Sequence, residues 1–135
     1  MEQKTSIFTK IIEREIPAHI VAETAYYIAF LDINPLKKGH LLCVPKVQVD
    51  YLFDLDEVTY QGLHAFVAKV AKALKKAVSC ERIGTAVLGF EVPHCHIHLV
   101  PMDDINDLNF ANPKLKFSDE ELKTIASDIK AAFEG

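Results

Sequence analysis

The stretch EVPHCHIHLVP, residues 91–101, places three of the chain's six histidines at every second position: His94, His96 and His98. A period of two is the period of a strand, whose successive side chains point to opposite faces. Read as a strand over 92–100, the segment sets the three imidazoles on one face, roughly 7 Å apart at about 3.3 Å of rise per residue. Cys95, Ile97 and Leu99 then form the other face, an ordinary core surface. Three histidines in register are a poor match for a solvated sheet face. The apolar Val92, Val100 and Pro101 around them imply partial burial.

Working outward, Arg82 to Leu88 reads as the strand preceding the histidines. Before it, Asp56 to Ser79 carries the longest helical pattern. Val58, Leu63, Phe66, Val67, Val70, Ala71, Leu74 and Val78 recur at three and four, with Lys69, Lys72, Lys75 and Lys76 left to solvent. Asp54 or Asp56 can cap it. Ser6 to Arg14 reads as a short helix with Thr5 or Ser6 as cap, stopped by Pro17. Ile20–Glu23, Tyr26–Leu31 and the buried His40–Pro45 read as strands. The segment from Asp103 to Phe117 is polar, scattered with Asn and Pro, and reads as an extended loop or tail. Ser118 and Glu121 form a capping box for a terminal helix. The order α β β β α β β α predicts an α+β fold: an antiparallel five-stranded sheet, a long helix on one face, and short N- and C-terminal helices.

With 135 residues the chain suits one domain, 1–135. Lys plus Arg is 15 and Asp plus Glu is 19, a net charge of −4. That balance argues against nucleic-acid or anionic-membrane partners, which call for a basic stripe. No apolar run reaches membrane-spanning length, and MEQKTSIFTK lacks the apolar core of a signal peptide. Cys43, Cys80 and Cys95 are odd in number and form no Cys-x-x-Cys pair. They fit reduced thiols and a cytoplasmic location better than a disulfide framework.

Two chemistries fit the histidine row. A His-x-His strand pair with a further donor, such as His40, can build a catalytic zinc site. Alternatively, a neutral imidazole nitrogen can attack phosphorus when its other nitrogen is held by a fixed acceptor. A neighbouring histidine then serves as general acid. Taken alone, Asp32 before Ile-Asn-Pro is a turn former, His40 a strand-edge residue, and Phe8 and Ile11 core residues at helical spacing. His19 reads as exposed and His64 as partly buried, neither with a role.

The segment His94-Cys95-His96-Ile97-His98-Leu99-Val100 resembles the histidine triad motif, His-φ-His-φ-His-φ-φ with φ apolar. IFTKIIEREIPAHIV, AFLDINPLKKGHLLCVPK and YLFDLDE are similar to that family's opening, second block and long-helix start. The resemblance covers roughly residues 6–102 and leaves 103–135 as a C-terminal extension. It implies a nucleotide hydrolase with His96 as nucleophile at the α-phosphate, releasing a nucleoside monophosphate through a nucleotidyl-histidine. It further implies that His98 contacts phosphate and leaving group, that His94 orients His96 through its carbonyl, and that His40 supports His94. Asp32 would bind the ribose, and Phe8, Ile11, Ile16, Phe30, Leu31 and Ile33 would form or border the base pocket. The implied substrates are a purine nucleoside phosphoramidate or a dinucleoside polyphosphate, and the implied assembly is a homodimer through the long helix and a strand.

Three departures bear on function. Many bacterial members hold a structural zinc where this chain has Ser6, Thr9 and Gln48. Hydroxyl and amide oxygens are poor zinc ligands beside thiolate and imidazole, so no structural zinc is expected. The segment RIGTAVLGFEVPH lacks the family's phosphate-side amide but keeps Gly89, whose bare backbone can approach a phosphate. Glu91 stands where the family has Ser or Thr. By strand parity it faces away from the histidines, unless a bulge turns it toward a cationic leaving group. Loss of the amide favours, as an alternative, a nucleotide-binding module without turnover. A His-ligated metal hydrolase is the further alternative.

Overall fold

Ser6 starts the fold: its hydroxyl accepts from Thr9 N–H, and helix α1 runs Ile7–Ile12. The helix is shorter than the expected 6–14, because Arg14 takes a left-handed φ of 64° that ends it. The computed structural model describes residues 4–133; the outermost residues of the 1–135 domain lie outside the described residues. Strands β1 (Ile20–Glu23), β2 (Tyr27–Leu31) and β3 (Leu41–Pro45) follow, then helix α2 (Glu57–Ala77), β4 (Arg82–Ala86), β5 (Ile97–Met102) and helix α3 (Asp119–Ala132). Of the two capping candidates for α2, Asp56 is the one that accepts from Thr59 N–H. The Ser118–Glu121 capping box starts α3.

The five strands form one antiparallel sheet in the order β1-β2-β3-β5-β4. Alternation sorts its two faces. Ala29, Leu31, Leu41, Cys43, Ile97 and Leu99 pack into the main core with α2 and α3, through residues such as Leu63, Phe66, Val70, Leu74 and Ile129. Each such fully buried Leu or Phe contributes about 1.5–3 kcal/mol. Ile28, Phe30, Leu42 and Val44 face the other way and pack with Phe8 and Ile11 of α1.

The strand expected over 92–100 is corrected: β5 begins only at Ile97 and runs on to Met102. The ladder pairs Cys43 with Ile97 and stops there. Two residues further along β3 is Pro45, which has no N–H to donate. Residues 87–96 instead form a loop in which His94 N–H bonds to Val92 O, and Cys95 N–H bonds to Val49 O at 2.7 Å, outside the sheet. β4 likewise ends at Ala86 rather than Leu88. Even so, Cys95, Ile97 and Leu99 all enter the main core. The expected partial burial is also corrected, since the three histidines are at most 8% exposed.

The segment 103–117 departs from a plain loop. It opens with a 3-10 turn at Ile105–Leu108, capped by Asp104. It then returns across the molecule, where Leu115 N–H donates to Pro35 O at 2.8 Å. No helix among the described residues is long and apolar enough to cross a membrane.

Candidate active site

The triad divides into two hydrogen-bond chains that end in opposite proton states. In the first, His94 Nε2 lies 2.7 Å from Pro45 O. A carbonyl only accepts, so Nε2 carries the proton and Nδ1 is an acceptor. Nδ1 therefore takes the Ser6 hydroxyl proton at 2.7 Å. His94 O in turn lies 2.8 Å from His96 Nδ1, which must be the protonated nitrogen. In the neutral ring that leaves a lone pair on His96 Nε2.

In the second chain, Leu36 N–H donates to His40 Nδ1 at 3.0 Å. His40 Nε2 is then the protonated nitrogen, and it lies 3.0 Å from His98 Nδ1. His98 Nδ1 accepts, so His98 Nε2 carries the proton. No buried side-chain nitrogen or oxygen among the described residues lacks a partner. The two remaining Nε2 atoms therefore reach the cleft that His96 and His98 line. One site thus presents a lone pair and an N–H donor side by side, on rings 5.0 Å apart.

Burial favours the neutral form of His40, His94 and His98, because it penalises the imidazolium. It pushes His98 down to about 3, with His96 and His40 adding repulsion, and His40 down to about 4, with Lys114 adding to the effect. His94 is lowered as well, mainly by burial. For the Asp32 carboxyl, burial pushes the value up, against the pull of Asn34 N–H, His96 and Lys114.

His40 thus pairs with His98, not with His94 as expected. The reason is positional: Leu42 is the β3 residue opposite His98, and the turn at Gly39, with φ of 92°, starts β3 beside it. His94 lies beyond the ladder, where Ser6 of the α1 cap and Pro45 O claim both its nitrogens.

Asp32 stands where two clefts meet. One, of about 660 Å³, is mainly apolar and is lined by all six expected base-pocket residues: Phe8, Ile11, Ile16, Phe30, Leu31 and Ile33. Phe8 also packs edge-on against the His96 ring at 5.0 Å. The other, of about 310 Å³, holds Asp32, His40, His96, His98, Gly89 and Glu91. Asp32 is both a turn former and a cleft residue, since its Oδ1 accepts Asn34 N–H at 2.8 Å. Glu91 lines the cleft rather than facing away, because it sits in the loop where strand parity does not apply. Gly89 takes a φ of 80°, and a Cβ there would meet nothing within 4 Å.

Sequence reading missed several cleft residues. Phe110 packs on His98 at 4.8 Å and on His40 at 6.1 Å, and Lys114 lines the same cleft. Both belong to the extension after the triad, where no periodicity marks an inward side chain. Asn34 supplies the cleft with an amide that the loop before the triad lacks. His19 is not exposed as expected: it lines the apolar cleft and meets Asp119 of α3 at 3.2 Å. His64 is exposed rather than partly buried.

Neither metal reading fits the donors. Asp32, His40 and His98 bring ligand atoms within 4.8 Å of one another. A neutral imidazole has one lone pair, and that of His40 already accepts Leu36 N–H. At the other position, Ser6, Thr9, Gln48 and His94 satisfy one another. Ser6 N–H and Thr9 Oγ1 both donate to Gln48 Oε1 at 2.8 Å, and Gln48 Nε2 donates to Lys4 O. One imidazole with three oxygens is a poor zinc set.

Residues 13–105 match the HIT domain family. The chain is 33% identical over 128 residues to the adenosine 5'-monophosphoramidase of Schizosaccharomyces pombe, covering 93% of this chain and 96% of that relative. It is 32% identical over 101 residues to the purine nucleoside phosphoramidase of Escherichia coli, covering 70% of this chain and 85% of that one. In three dimensions it resembles a Hit-like protein involved in cell-cycle regulation from Bartonella henselae. The TM-score is 0.84 at 32% identity, over 98% of this chain and 99% of that one.

Proposed function

Because the chain belongs to the histidine triad family, we propose that it hydrolyses a nucleotide at the α-phosphate, through a covalent intermediate on His96. The substrate class is a purine nucleoside phosphoramidate or a dinucleoside polyphosphate. The observation that carries this reading is the paired proton state: a lone pair on His96 Nε2 beside an N–H on His98 Nε2. Attack and leaving-group protonation need those two states at once.

In the proposed reaction the base enters the apolar cleft and Asp32 takes the ribose hydroxyls, which brings the α-phosphorus to His96. The Nε2 lone pair forms the N–P bond as the bond from phosphorus to the leaving nitrogen or oxygen breaks. His98 gives its Nε2 proton to that leaving atom. His94 O, fixed on His96 Nδ1–H, stabilises the charge that develops on the ring. Water then attacks phosphorus and loses a proton to His98, and the N–P bond breaks to release the nucleoside monophosphate. Glu91 at the cleft mouth suits a cationic amine leaving group. The phosphoramidase names of two relatives point the same way. The reading includes a homodimer working in the reducing cytoplasm, in keeping with three free thiols. Burial pushes the Cys95 thiol up to about 11.

The test is intact mass after brief exposure to adenosine phosphoramidate, alongside AMP release from phosphoramidates and diadenosine polyphosphates. An adenylyl adduct is expected on the wild type and none on His96→Ala. An adduct that persists in His96→Ala overturns the nucleophile. AMP binding without any turnover makes the chain a binding module instead.

A further inference from the structure

The catalytic cleft is short of positive charge. Asp32 and Glu91 are both in it, and burial disfavours a positive charge on His40 and His98. A phosphate adds another anion, which two carboxylates disfavour unless a cation offsets it. Among the described residues lining this cleft, Lys114 is the one lysine or arginine. It arrives on the strap after the triad, outside the motif.

The strap is built to hold it there. Asn109 Oδ1 accepts Ala111 N–H at 2.9 Å, and Asn112 Nδ2 donates to Asn106 O at 2.7 Å. Phe110 anchors the strap on the His98 ring, and the Leu115–Pro35 bond ties its far end beside the Asp32 turn. Lys114 Nζ donates to Phe110 O at 2.6 Å and to Asn112 O at 3.2 Å. An ammonium has three donors, so one remains. Its charge is felt at both Asp32 and His40, whose Oδ2 and Nε2 lie 3.7 Å apart in the same cleft.

We propose that Lys114 is a phosphate-binding residue, which offsets the charge of the nucleotide phosphate and makes the site favour nucleotides over nucleosides. This rests on the nucleotide-hydrolase reading above. A lysine whose only job is to tie the strap together through two carbonyls gives a different pattern of ligand affinities.

The experiment is calorimetric titration of AMP and of adenosine into the full chain, as wild type, Lys114→Gln and Lys114→Arg. One charge-assisted contact is worth about tenfold or more in affinity. Lys114→Gln is therefore expected to weaken AMP about tenfold, with adenosine within about twofold of wild type. Lys114→Arg is expected to restore AMP, and added salt to shrink the gap. Adenosine binding itself reports that the variant is folded. The proposal is overturned if Lys114→Gln leaves AMP unchanged, or if AMP and adenosine weaken together. Wild type that binds no AMP overturns the nucleotide reading itself, a result distinct from either.

Discussion

Replacing Ser6 by alanine tests whether the hydroxyl network orients the nucleophile. Ser6 is 3% exposed and its Oγ does two jobs. It accepts Thr9 N–H at 3.0 Å as the α1 cap, and it donates to His94 Nδ1 at 2.7 Å. Losing the cap costs about 1 kcal/mol. Leaving the buried His94 acceptor with only the weaker contact to Thr9 Oγ1, at 3.4 Å, costs about 1–3 kcal/mol more. The deleted oxygen is too small to admit a water, whose share of liquid volume is about 30 Å³. The sum, about 2–4 kcal/mol, corresponds to a Tm lower by about 6–15 °C for a chain of this size. Glycine caps almost as well as serine, so Ser6→Gly isolates the His94 contribution. Thermal unfolding of the three proteins gives the magnitudes, and turnover of adenosine phosphoramidate reads the consequence. With His94 free to shift, its carbonyl no longer fixes His96, so kcat is expected to fall with KM little changed. A Tm within about 2 °C of wild type in both variants refutes the reasoning.

Two further outcomes follow from the same geometry. His40 and His98 are held near 4 and near 3, below the unfolded value of about 6.5. Below that pH the unfolded chain takes up protons that the folded chain refuses. Stability is thus complete above about pH 6.5 and is lost toward pH 4 to 3, at about 1.4 kcal/mol per pH unit per histidine. By pH 5 the pair should cost about 4 kcal/mol in urea titrations. His98→Asn should show a shallower acid limb, and an equally steep one contradicts the assignment. The hydroxyl network also lends itself to conversion. In Ser6→Cys/Thr9→Cys/Gln48→His, two thiolates and the imidazole at position 48 join His94 Nδ1 as a four-ligand set, and His94 Nε2–H already has the outer partner that zinc-bound histidines use, Pro45 O. Elemental analysis should find about one zinc per triple-variant chain and far less in wild type. A metal-free triple variant counts against the arrangement.

Much of the fold was legible because its signals are local. Helix α2 repeats its apolar residues at three and four, Ser118 and Glu121 announce α3, and Gly39 and Pro35 punctuate the turn before β3. The base cleft was legible only through family resemblance, since Phe8 and Ile11 taken alone read as core. The start of β5 was misread because alternation continues through His94 and His96 without a strand to carry it. What ends the ladder is a proline on the opposite strand, not a feature of the segment itself.

The sequence by itself determined that His98 faces away from Ile97 and Leu99, because within a strand side-chain direction alternates residue by residue. Tertiary structure decided which nitrogen of each ring holds its proton. Ser6 meets His94 across 88 positions and His40 meets His98 across 58. Only those long-range partners, one a hydroxyl at a helix cap and the other a ring held by Leu36 N–H, dictate the tautomers. Only the return of the chain after β5 brings Phe110 and Lys114 over the site. A proton's position depends on what lies within about 3 Å of it, and along a chain of this length such neighbours are set by packing.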